Sequence, residues 1–161
     1  MLPTNASLHC FPLLCPSLSS STFSTYTHAP INRTAFLNSM RGVTSVDVAL
    51  VVFHKMVSMK TFPYVKDVNF LFNIIVKMKH YATVLSLIRH MFSIGVKPNV
   101  YTFNIIINCI CRLNRTMFGF FVLGHMFKTG LEPNLVTLNT LVNGFCTQGD
   151  VAEALSFVEY M

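Results

Sequence analysis

The sequence has no tryptophan, and only 6 of its 161 residues are acidic. Charged residues of both signs make up 11%, against about 25% in a typical soluble domain. So few carboxylates leave little material for general acid–base work. No carboxylate pair, nucleophile–base pairing or glycine-rich phosphate loop is present either, so an enzyme is not expected. The 5 cysteines (10, 15, 109, 111 and 146) include no CxxC pair. Cys109-x-Cys111 alone does not supply zinc-ligand spacing, and no HExxH-like pair is found. No metal or other cofactor is expected, and the thiols read as small buried hydrophobes of a reducing compartment. A long apolar run is missing too. The stretch from Leu135 to Gly149 carries no charge, yet it holds Asn139, Asn143, Gln148 and two glycines, where a membrane span needs about 18 mostly apolar residues.

What is abundant is apolar: 52% of residues are hydrophobic, with 15 Phe and 9 Met. Such a chain is not intrinsically disordered, and without a membrane its apolar excess must go into a packed core or a partner. The first 45 residues differ from the rest. Residues 1–34 contain 11 Ser or Thr, 4 Pro and no acid, and the first charge of any kind is Arg33. This composition fits an organelle transit peptide, mitochondrial or alternatively chloroplast, or a plain disordered tail.

From residue 46 a period of 35 organises the chain. Gly95-Val-Lys-Pro-Asn99 recurs as Gly130-Leu-Glu-Pro-Asn134. Asn69, Asn104 and Asn139 share the step, as do Pro63, Pro98 and Pro133, and Met56, Met91, Met126 and Met161. Each unit reads as two helices. Phe103, Ile106, Ile107 and Ile110 fall at i, i+3, i+4 and i+7, one apolar helix face. Asn114 breaks that helix, a second runs through Phe120 to Met126, and Gly130 stops it. Asp150, with Glu153 behind it, reads as the start of the last helix. A helical hairpin of this size cannot bury its own apolar face, so the expected fold is all-α: a solenoid of stacked helix-turn-helix repeats after a disordered N-terminal segment.

These residues carry a resemblance. The "VTLNTLVNGFC" run from Val136 to Cys146, the "DVAEAL" from Asp150 and the closing "GLEPN" resemble the pentatricopeptide repeat family of plant organelles. "DVALVVFHKM" from Asp47, "MKHYATVLSL" from Met78 and "NIIINCICRL" from Asn104 are similar to the N-terminal repeats of restorer-of-fertility-like members of its pure-repeat class. Tetratricopeptide repeats run at 34 and favour an early Trp, which this chain lacks. In this frame residues 46–64 form a half repeat that caps the solenoid, 65–99 and 100–134 are repeats, and 135–161 is an incomplete one.

The resemblance implies single-stranded RNA binding, one base per repeat, in transcript processing, stability or translation. It places base selection at Asn69 with Asn99 and at Asn104 with Asn134, both implying a pyrimidine, with Asn139 lacking its closing partner. Bases would be sandwiched by the residues three before each Asn, a pattern that Tyr101 and Val136 fit and Lys66 does not. The plain alternative for these asparagines is helix capping. Lys66, Lys77, Lys79, Lys97, Arg112, Arg115 and Lys128 are scattered singly, as solvated-face residues are. Two other readings stand beside RNA binding: a protein-interaction fragment whose exposed last helix (Ala154, Leu155, Val158, Met161) docks a partner, and a truncated product without RNA binding of its own.

Overall fold

A computed structural model describes residues 38, 40–58 and 64–160. Most of the expected leader, together with Pro63 and Met161, lies outside the described residues. Among the described residues the elements are helices: α1 (Val46–Val57), α2 (Val65–Lys77), α3 (Tyr81–Ser93), α4 (Val100–Arg112), α5 (Phe118–Lys128), α6 (Leu135–Gln148) and α7 (Val151–Tyr160). Helices α2 and α3, α4 and α5, and α6 and α7 pack as pairs, while α2, α4 and α6 pack on one another in succession. The result is an α-solenoid. Among the described residues no helix is long and apolar enough to cross a membrane.

The repeat columns are the buried surface. Ala49, Val84 and Ala154 are at most 4% exposed, and Gly119 holds the same column with no side chain at all. Val52, Leu87, Val122 and Phe157 form a second buried column, and Met56, Met91 and Met126 a third at 1% or less. On the first helices, Ile75, Ile110 and Phe145 do the same. Met40 occupies that last column N-terminal to α1 and is fully buried, with Val43 buried beside it. The packed chain therefore reaches back past the expected boundary at residue 46.

Helix ends follow one plan. In every hairpin the turn residue has positive φ: Lys79 at 64°, Asn114 at 55° and Gly149 at 86°. The N–H of the following residue reaches back to the helix, from His80 to Ile75 O (3.3 Å), Arg115 to Ile110 O (3.1 Å) and Asp150 to Phe145 O (3.0 Å). This is the Schellman arrangement, which satisfies carbonyls the helix leaves without partners. Gly95 (φ 83°) and Gly130 (φ 72°) end the second helices in the same way, with Val96 N–H to Met91 O and Leu131 N–H to Met126 O. Lysine carries a Cβ into this left-handed region, at a cost of roughly 1–2 kcal/mol. Lys79→Gly is expected to stabilise the chain by up to about 1 kcal/mol once the entropy of glycine is subtracted. Chemical denaturation checks the sign.

The cysteines divide by burial. Cys109 and Cys111 are buried, and Cys146, in the register of Cys111, is exposed. Burial, and secondarily the neighbouring Cys111, pushes the Cys109 thiol from 9.0 up to about 12. Between those values the unfolded chain has lost this proton and the folded chain keeps it, so its stabilising contribution is full below pH 9 and falls as pH rises. The stability gap between the protein and Cys109→Ala should thus narrow from about pH 9 to about pH 12. At neutral pH a thiol reagent should label Cys146 at once and reach Cys109 and Cys111 only on unfolding.

Candidate nucleic-acid interface

The seven residues singled out from the sequence fall at the N-terminal turns of α2, α4 and α6 and just before them. Asn99 precedes α4 and Asn134 precedes α6, each as the N-cap of a capping box. Asn99 Oδ1 accepts from the Thr102 backbone N–H (3.0 Å), and Thr102 Oγ1 accepts from the Asn99 N–H (3.2 Å). Asn134 and Thr137 repeat this at 3.0 and 3.2 Å. The capping reading of these two asparagines is therefore correct. It does not exhaust them.

Each cap also joins the asparagine of the preceding first helix. Asn69 Nδ2 donates to Asn99 Oδ1 at 3.1 Å, and Asn104 Nδ2 faces Asn134 Oδ1 at 3.5 Å. The threonine closes the triangle: Thr102 Oγ1 donates to Asn69 Oδ1 (3.1 Å) and Thr137 Oγ1 to Asn104 Oδ1 (2.6 Å). The polarity follows from one fixed donor. A backbone N–H can only donate, so the Thr102 N–H turns the oxygen of Asn99 inward. Asn69 must then present its nitrogen to Asn99 and its oxygen to the threonine hydroxyl. The Thr102 hydroxyl also lies 3.0 Å from Asn99 Oδ1, but that oxygen already accepts twice, so the hydroxyl hydrogen goes to Asn69. The same order holds at Asn104, Asn134 and Thr137.

Two stacked copies of one amide triangle result, a repeat apart. Within each, the cap asparagine keeps both Nδ2 hydrogens and the first-helix asparagine keeps one, so the set is rich in donors with one amide oxygen lone pair beside them. Thr102 and Thr137 are buried. They were not among the residues picked from the sequence, although they too stand 35 apart. Asn139, the third of the column, is exposed at the start of α6. Tyr101 and Val136, three residues before Asn104 and Asn139, are exposed at 54% and 58%. Lys66 holds that position before Asn69 and is exposed as well. The α2 N-terminus departs from the pattern, because Tyr64 is its N-cap and makes no side-chain cap bond.

The other candidates separate. Lys66, Lys77, Lys79, Lys97, Arg112, Arg115 and Lys128 are all exposed. On α7, Ala154 is buried, whereas Leu155 and Val158 are 59% and 54% exposed. The described residues contain no cluster of three or more His, Cys, Asp or Glu placed to hold a metal ion.

Comparisons with known proteins agree with this architecture. The family model of the PPR repeat matches residues 129–161, and that of the PPR repeat family matches residues 68–112. No curated protein matches the sequence. Among solved structures, the crystal structure of the pentatricopeptide repeat protein PPR10 from maize is similar, with a TM-score of 0.68 at 22% identity. The match covers 80% of this chain and 18% of that one, so the likeness is one of fold over a small part of a longer solenoid. Residues 68–112 and 129–161 thus match pentatricopeptide repeats, set in an α-solenoid of the same fold as that neighbour.

Proposed function

We propose that the chain binds single-stranded RNA, with Asn69 and Asn99 contacting one nucleotide and Asn104 and Asn134 the next. The observation that supports this most is the pair of identical amide triangles, each with its polarity fixed by a buried threonine and each carrying spare donors. A pyrimidine offers its carbonyl O2 as an acceptor to such a donor set, in line with the expectation for Asn paired with Asn. Tyr101 and Val136 flank the second nucleotide, Asn139 stands at the equivalent position of the next repeat, and binding rather than catalysis is the activity. Membership of the restorer-of-fertility-like group, and a mitochondrial or chloroplast site of action on transcripts, complete the reading.

Magnitude sets the assay. Stacking and edge contacts are worth about 1–3 kcal/mol per base, so two readers supply about 2–6 kcal/mol, where nanomolar binding needs about 12. Chemical-shift titration with short oligonucleotides suits so weak a complex. Shifts at the Asn104 and Asn134 amides with oligopyrimidine and much smaller ones with oligopurine are expected. Equal or absent responses would defeat the proposal.

The exposed Leu155 and Val158 favour a second reading, in which α7 docks another protein. Under it, partner binding survives Asn104→Ala and Asn134→Ala and is lost with Leu155→Asp.

A further inference from the structure

The two amide triangles are built alike but are not equally open. Asn69 is 1% exposed, while Asn104 is only half-buried. Their own partners do not explain this, since each bonds to a cap asparagine and a threonine. Between those partners the first triangle has Tyr101 and the second has Val136.

Tyr101 leaves the first turn of α4 between Asn99 and Thr102. Its phenol oxygen accepts a hydrogen bond from Asn73 Nδ2 at 2.9 Å. Asn73 is one turn beyond Asn69 on the same face of α2, and its amide is tied down further by a 2.9 Å bond to the Asn69 carbonyl. Both Asn73 Nδ2 hydrogens are thus committed. A side chain that starts beside Asn99 and ends on Asn73 crosses the turn on which the Asn69 amide lies. Val136 has no polar tip and is too short to make this link to Asn108, the counterpart of Asn73.

We infer that Tyr101, latched by Asn73, closes the first amide pair, so that the two readers of the free chain differ: Asn104 with Asn134 is open, and Asn69 with Asn99 takes a base only after the phenol leaves Asn73. This rests on the reading of the amide pairs as base contacts. Tyr101 is then a specificity-determining residue for the nucleotide at Asn69, beyond its position beside the nucleotide at Asn104. RNA engages the second pair first, and the first pair discriminates weakly until the latch is released.

Two readouts on the full chain test this. The first needs no RNA: side-chain amide hydrogen exchange at Asn69 and Asn104 by NMR, in the protein and in Tyr101→Phe, which keeps the ring and removes the hydroxyl, with Tyr101→Val as a second variant. Exchange at Asn69 is expected to be at least tenfold slower than at Asn104 and to rise severalfold in both variants, with Asn104 unchanged. The second is pyrimidine-over-purine preference at each of two adjacent nucleotides. In the protein it should be several times smaller at Asn69 than at Asn104, and Tyr101→Phe should bring the two together. Equal protection of Asn69 in protein and variants, or equal preference at both nucleotides before substitution, overturns the latch. A change in exchange with no base preference at Asn104 overturns the base-contact reading and makes the Tyr101 link purely structural, which sinks this inference for a different and recognisable reason.

Discussion

Met126→Ala is expected to destabilise the chain by about 2–5 kcal/mol, the range for emptying a fully buried site of this size. Met126 is 0% exposed and stands in the column of Met56 and Met91, at 1% and 0%. A solenoid has no single centre, since each repeat contacts only its neighbours. Each of these buried methionines sits near the end of a second helix, where a cavity cannot be refilled from elsewhere. The exposed Lys128 on the same helix serves as control, because surface substitutions usually stay within about 0.5 kcal/mol. Urea denaturation followed by far-ultraviolet circular dichroism measures both. A Met126→Ala effect no larger than that of Lys128→Ala would mean the columns do not carry the stacking.

Gly144→Val is the second large effect, and it links stacking to the interface. A Cβ at Gly144 would overlap Cys111 Sγ and lie 2.9 Å from Cys111 Cβ and 3.1 Å from Thr116 Cγ2. Helices α4 and α6 touch directly here. Overpacking of this kind costs about 1–3 kcal/mol, and a branched residue meeting a helix at its Cβ cannot escape by rotation. The same two helices carry Asn104 and Thr137, whose 2.6 Å hydrogen bond closes the second triangle. Pushing α6 off α4 should open that bond along with the packing. The first triangle, between α2 and α4, should be unaffected. Side-chain amide shifts of Asn104 and Asn69 distinguish the two.

Much of this was legible in the sequence because a repeat writes its core several times. Met56, Met91 and Met126 were visible as a column, and Gly130 as a helix stop. The resemblance then gave Asn69 and Asn104 their pairing with Asn99 and Asn134. What escaped was information that a period averages away. Lys79 takes the same left-handed turn as Asn114 and Gly149, but lysine carries no mark of that conformation. Met40 stands in the column of Ile75, Ile110 and Phe145, yet the Ser- and Thr-rich composition before it hid the continuity. Thr102 and Thr137 are in register, but from sequence alone a threonine in a first turn is indistinguishable from ordinary capping. The unequal exposure of Asn69 and Asn104 depends on a neighbour from the next repeat, Tyr101 against Val136. No column comparison made within one repeat detects that.

The central claim is that successive repeats address successive nucleotides. It is tested most directly by measuring base preference at each position of a short oligonucleotide for the protein, for Asn104→Ala and for Asn69→Ala in a Tyr101→Phe background. The account predicts that each substitution abolishes preference at one nucleotide only, a drop of about 1–3 kcal/mol or roughly 5–150-fold, and that the two affected nucleotides are adjacent. Loss at the same nucleotide in both variants, or an even loss along the whole oligonucleotide, would contradict it.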